Sequence, residues 1–329
     1  MRNDIKFCQA ADGVRIAYAV SGSGSPIVVS GLLYRHLEYD RDSPFWSDAF
    51  EVLAKQHTLI RFDIRGTGLS QRDVPDYSLE DLASDLSAVV EAAGVQRFAL
   101  LGIATGGAPA MLYAARHPDR VTHLLIYGSS ARSLMHRGPD SVDLAKGLLA
   151  LIRRHWGTED PTYRVIALGR VFPDADEQLL EKIAEIERRC ASASDAAKAY
   201  AMAFNVNIVD QLSQIRMPTL IFQPKNAVLH PQERAHEIAA HVPHARVIPI
   251  DGSSSYLMND DLATELFLFE ARRFLGDPAV SVRRLRNVFR RAYLTCHDMV
   301  ASAPYKVVYG ILALLAALAS VVYYTRSLL

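Results

Sequence analysis

A glycine-rich turn stands where an apolar run meets a helical one. Phe98–Leu101 has strand character, Gly102-Ile103-Ala104-Thr105-Gly106-Gly107 follows it, and Ala108–Arg116 has helical periodicity. A helix that starts after such a turn leaves its first backbone N–H groups without intrahelical partners. Ala104 offers no nucleophile, since a methyl group cannot attack a carbonyl carbon. The hydroxyl of Thr105 is next to it but is expected to point away from the position a nucleophile occupies. A second loop, Asp251 to Asp260, reads DGSSSYLMND and holds hydroxyls but no histidine. A serine hydroxyl does not serve as a general base near neutral pH. Elsewhere His117 precedes Pro118 and His230 precedes Pro231, positions with ordinary structural explanations. Asp63 and Arg65 read as a hydrogen-bonded loop support. Cys8, Cys190 and Cys296 lie far apart without a CxxC spacing. That excludes a disulfide framework or a zinc site and suits a reducing compartment. No metal and no cofactor are expected.

The elements that hold these loops follow from periodicity. Strand-like runs are Val14–Val20, Ile27–Val29, Thr58–Phe62, Phe98–Leu101, Val121–Ile126, Thr219–Phe222 and Arg246–Ile250. Helical patterns between them include Leu79–Ala93, Ala108–Arg116, Pro231–Ala240 and Leu262–Phe274. This alternation predicts an α/β protein with a mostly parallel sheet covered on both faces and an antiparallel edge at its start. Between Ser133 and Met217 the periodicity is helical throughout, as in Val142–Arg154 and Glu177–Cys190. Such an insertion is expected to roof the carboxyl ends of the strands, where ligands of open sheets bind.

Of the 329 residues, 50% are hydrophobic, and Lys plus Arg equals Asp plus Glu at 36 each. A net charge of zero leaves no electrostatic footprint for nucleic acid. Met1 to Ala11 has no apolar core, so no secretory signal peptide is expected there. Val307–Tyr324 is uncharged, apolar on every face and flanked by tyrosines, which predicts a single-pass, C-terminal transmembrane anchor. Arg283, Arg284, Arg286, Arg290 and Arg291 form a basic amphipathic stretch before it, suited to an anionic membrane surface. The excess of positive charge on that side places the large N-terminal domain in the cytoplasm.

Five phrases together resemble the α/β-hydrolase family, and are similar to bacterial members joined to nucleotide-cyclase or LuxR-type regulatory modules. They are HLEYDRDSPFW (His36–Trp46), RFDIRGTGLS (Arg61–Ser70), FALLGIATGGAPA (Phe98–Ala110), YAARHPDRVTHLLIYG (Tyr113–Gly128) and MPTLIF (Met217–Phe222). The resemblance implies an α/β-hydrolase core over 1–132 and 217–276, with a helical cap over 133–216. A linker over 277–306, the membrane segment 307–324 and a tail 325–329 would follow. It also implies a G-x-S-x-G elbow, here with glycines Gly102, Gly106 and Gly107 but with Ala104 at its centre. The acid position falls on Ala227, and the alternative place after the preceding strand reads Gly128, Ser129, Ser130. The histidine position falls on Ser255. Gly31, Leu32 and Thr105 keep the places of the oxyanion-hole backbone.

With all three triad positions substituted, the resemblance implies a catalytically inactive pseudo-hydrolase. The expected role is a membrane-anchored scaffold or regulatory subunit of a protein partner. Two alternatives stand beside it: a sensor that binds a small apolar or ester-like ligand in the pocket, and an esterase-like hydrolase with unconventional chemistry.

Overall fold

The computed structural model describes residues 4–278, apart from positions 32, 34, 159, 161, 162, 260 and 261. The strands are β1 (Asp4–Gln9), β2 (Arg15–Gly22), β3 (Ser25–Ser30), β4 (His57–Phe62), β5 (Phe98–Ile103), β6 (Val121–Tyr127), β7 (Thr219–Pro224) and β8 (Ala245–Ile250). They form one sheet in the order β1-β2-β4-β3-β5-β6-β7-β8. β1, β2 and β4 pair antiparallel, and every later pairing is parallel. The central β5 and β7 are buried along their whole length. Helices cover both faces there, so these strands need no polar alternation. β1 is the opposite case. It is mostly exposed, lies at the edge, and its mixed sequence DIKFCQ gives no strand signal.

Helices α1 (Ser47–Leu53), α2 (Leu79–Ala92) and α3 (Gly107–Arg116) precede the insertion. α2 starts where a capping box predicts it: Ser78 and Asp81 each satisfy the other's backbone N–H. Asp63 and Arg65 do support their loops. Asp63 accepts hydrogen bonds from the N–H groups of Leu37 and Leu69. Arg65 is clamped by the buried Asp85 of α2, through Nε at 2.8 Å and Nη2 at 2.6 Å.

Between β6 and β7 the chain forms α4 (Pro139–His155), α5 (Glu177–Cys190) and α6 (Ala193–Phe204). Among the described residues this stretch contributes no strand to the sheet, only the isolated bridge Arg132–Asn207. It is stitched to the core by polar contacts. Gly68 N–H donates to Cys190 O at 2.8 Å, Lys198 Nζ to Val74 O at 2.6 Å, and Arg72 Nη2 to Arg189 O at 2.9 Å. α7 (Gln232–His241) and α8 (Leu262–Phe274) complete the covering layers. α8 seats Phe267 edge-on against Trp46, Tyr127 and Phe222.

Among the described residues no helix is long and apolar enough to cross a membrane. The apolar segment Val307–Tyr324 and the basic patch Arg283, Arg284, Arg286, Arg290 and Arg291 lie outside the described residues.

Candidate active site

The turn between β5 and α3 forces an alanine into the left-handed region. Ile103 ends the strand in extended backbone, and Ala104 has φ +46°. For an L-residue that conformation costs about 1–2 kcal/mol. It persists because the next turn of backbone has no room to relax. A Cβ on Gly106 would lie 2.5 Å from the Gly31 carbonyl oxygen, and one on Gly107 would lie 2.2 Å from Ser129 Oγ. α3 therefore starts pressed between β3 and the loop after β6. Gly102, next to last in β5, lies against Ala110 of α3. The elbow expected from the sequence is present, strain included, and it carries a methyl group at its apex.

Ala104, Thr105 and Ser255 line one cavity, roofed by Tyr200 of α6. Ser255 is buried, with its Cα close to where a Cβ on Gly128 would fall. Thr105 Oγ1 is buried and faces the phenol of Tyr256. Ala227 is buried in the turn after β7, and the loop it begins supplies Val228, Leu229 and His230 to the wall. Leu32 lies outside the described residues.

Two further side chains meet here that local sequence patterns do not bring together. Ser130, just past β6, and His230, past β7, both line the cavity beside Ala104 and Thr105. Ser130 Oγ is 2.7 Å from His230 Nδ1. Arg137 Nη2 donates to the same Oγ at 2.8 Å. Its other nitrogens are fixed by the carbonyl oxygens of Arg132 and Leu229. The guanidinium takes one lone pair of Oγ, and in the tautomer of His230 protonated on Nε2 the serine hydroxyl donates to Nδ1. The histidine backbone is held in turn, because Gln223 Nε2 donates to its carbonyl at 2.8 Å.

Electrostatics set the charge states. Burial, helped by the Arg137 charge, pushes His230 down to about 3, so its imidazole is neutral near neutral pH and only weakly basic. Burial also brings Arg137 down to about 10, with Arg234 adding to the effect, and it stays charged. A hydroxyl between a neutral imidazole and a guanidinium has the two features that activate a serine: an acceptor for its proton and a cation for the developing alkoxide. Among the described residues no carboxylate lies on the wall of either cavity at the elbow. The arrangement is a dyad with a cationic neighbour.

A model of the α/β-hydrolase-fold family matches residues 28–153. Solved structures superpose over most of the chain. A hydrolase from Pseudomonas aeruginosa PA01 gives a TM-score of 0.69 at 22% identity, covering 83% of this chain and 98% of that one. The enol-lactonase from Burkholderia xenovorans LB400 gives 0.69 at 20% identity, covering 83% and 100%.

The chain has the α/β-hydrolase fold.

Among curated relatives of this α/β-hydrolase-fold chain, the protein of Azorhizobium caulinodans named "Putative carbamate hydrolase RutD" is 27% identical over 76% of this chain and 92% of its own length. The protein of the same name from Pseudomonas savastanoi is 25% identical, over 76% and 90%. These findings overturn the expectation of an inactive scaffold and of a pseudoenzyme. The relatives carry hydrolase names, and structural neighbours include a lactonase and an esterase. The inactive reading assumed that catalytic groups must occupy the three family positions. The likeness to proteins joined to cyclase or LuxR-type modules finds no counterpart among these relatives.

Proposed function

We propose that the protein is a hydrolase of small acyl compounds in which Ser130 is the nucleophile and His230 the base. One observation carries this reading: the 2.7 Å contact between Ser130 Oγ and His230 Nδ1 on the wall of the elbow cavity. Ser130 Oγ attacks the acyl carbon while its proton passes to His230 Nδ1. The oxyanion so formed is held by backbone N–H groups of the elbow turn before α3, Thr105 among them. The tetrahedral intermediate collapses to an acyl-serine, and His230 returns the proton to the leaving group. A water molecule then attacks the acyl-serine with His230 again as base, releasing the acid and restoring the serine hydroxyl.

The energetics set the pace. A base brought down to about 3 holds a proton reluctantly, and general-base catalysis is most efficient when that value lies near the working pH. Arg137 offsets part of the penalty by stabilising the alkoxide. Turnover is accordingly slow. The cavities at the elbow measure about 50 and 30 Å³, which restricts the acyl group to a few heavy atoms. Hydrolysis of p-nitrophenyl acetate tests the reading. Ser130→Ala is expected to lower kcat/KM at least about 100-fold, a general-base-scale loss. An unchanged rate overturns it.

The apolar, tyrosine-flanked segment Val307–Tyr324, with the arginines at 283–291 before it, supports a second part of the proposal. The hydrolase domain is held at the cytoplasmic face of a membrane, where positive flanks favour that orientation.

A further inference from the structure

We infer that the acyl substrate carries a negative charge of its own, a carboxylate at the end away from the scissile carbonyl, recognised by Arg170. This inference rests on the hydrolase reading above and specifies its substrate class. Among the described residues the two adjoining elbow cavities have cationic side chains on their walls, Arg137 in one and Arg170 in the other, and no acidic one. Arg137 is committed: its donors go to Ser130 Oγ and to two backbone carbonyls. Arg170, in the short helical turn Gly169–Val171, differs. Its Nε is buried without a hydrogen-bond partner among the described residues. Removing a guanidinium N–H from water without an acceptor costs free energy that a fold does not spend idly. A planar fork of donors matches a carboxylate in both charge and shape.

Position decides which end of the substrate Arg170 meets. The cavity it lines also holds Ala104, Thr105 and His230, while Ser130 and Arg137 line the adjoining cavity that shares those three residues and Tyr200. A substrate with its acyl carbon at Ser130 would run past the Ala104 methyl toward Arg170. The methyl leaves that path apolar and narrow. Tyr200 and Leu229 line both cavities, closing the sides to branched chains. A short, unbranched chain with an acyl group at one end and a carboxylate at the other satisfies all three features. A neutral ester of the same length leaves the Arg170 donor unmet, and a site built around a buried polar group discriminates strongly against a ligand lacking its partner.

The test uses the full-length chain in detergent and has two arms. In the first, kcat/KM is compared for the mono-p-nitrophenyl ester of succinate and for p-nitrophenyl butyrate, a neutral ester of equal chain length. The charged ester is expected to be preferred by at least about tenfold. Arg170→Gln is expected to bring that ratio towards one, chiefly through KM, while Arg170→Lys keeps part of it. In the second arm the wild type is titrated calorimetrically with succinate, which contains no bond to hydrolyse. Binding is expected, weakened by Arg170→Gln. Ser130-dependent turnover with no preference for the charged ester and no succinate binding overturns this inference and leaves the hydrolase reading standing. Succinate binding without turnover of either ester upholds an anion site and overturns the hydrolase reading.

Discussion

Ser130 and His230 are 100 residues apart in the chain and 2.7 Å apart in space. The sheet produces the meeting. β6 and β7 are parallel neighbours, with Tyr127 beside Phe222 in register, so the loops that leave their carboxyl ends emerge side by side. Serine sits on the first loop and histidine on the second. The alanine elbow supplies a tight turn and backbone donors next to them without occupying the space itself.

The depressed value of His230 makes the pH dependence diagnostic. A general base must be neutral to accept a proton, and a group at about 3 is neutral throughout the range in which esters are conveniently assayed. The profile of kcat/KM is therefore expected to show no acidic limb between pH 5 and 8. A limb centred near 6.5 would assign the base to an unburied histidine.

The same shift predicts how stability responds to acid. In the unfolded chain this histidine titrates near 6.5, and in the fold near 3. Below 6.5 the unfolded state binds the extra proton, so stability falls as pH drops from 6.5 towards 3. The contribution is on the order of a few kcal/mol over that window. His230→Gln removes it. Chemical denaturation at pH 7 and pH 5 checks this: the gap between the two is expected to shrink in the variant, and a gap of the same size would contradict the burial argument.

Much of this architecture is legible in the sequence, and what is not has a physical reason. The run Phe98–Leu101 and the glycines after it announce the elbow, because only a fully buried strand tolerates that apolar run and only glycine fits so close to Ser30 and Gly31. Glu177–Cys190 is a helix over the expected residues because its apolar face is sharply periodic. Ala193–Phe204 falls within the stretch expected to be helical, but its bounds are not legible because alanines dominate it and define no face. β1 escaped because both of its faces are largely wet. The Ser130–His230 pair is a product of strand order. Each residue has a local explanation on its own, one at a strand end and one before a proline. The usable signal was that they occupy the loops after consecutive strands of a parallel sheet, the two places where the family resemblance puts a catalytic acid.

Ala104 pays for its left-handed backbone, with φ +46°. Replacing it with glycine relieves that strain and adds unfolded-state entropy, so Ala104→Gly is expected to be neutral or to stabilise by up to about 1 kcal/mol. Thermal or urea denaturation measures it. A loss of more than about 1 kcal/mol would mean that the methyl group's packing outweighs the strain.

The Arg65–Asp85 pair is buried, with Asp85 fully covered. Removing one partner leaves the guanidinium without its bidentate acceptor, and Asp85→Ala is expected to cost about 3–5 kcal/mol. Arg65 would retain Asp12, at 2.7 Å on the partly exposed side, which favours the lower end. Equilibrium urea denaturation of the two proteins checks it, and a loss under about 1 kcal/mol would show that Asp12 alone suffices.

The proposed anchorage has a direct check. A chain ended after Gly276 keeps every strand of the sheet and is expected to appear in the soluble fraction, while the full chain stays with the membrane pellet after a high-salt wash. A truncated protein that remains in the washed pellet would contradict anchorage by Val307–Tyr324.

The central claim is that the reactive hydroxyl belongs to Ser130. Treating the protein with a fluorophosphonate and locating the adduct by peptide mass spectrometry reads that hydroxyl directly. The adduct is expected on Ser130, and to vanish in His230→Gln, where the proton acceptor is gone. An adduct on Thr105 or Ser255, or one on Ser130 that survives loss of the histidine, would contradict the account.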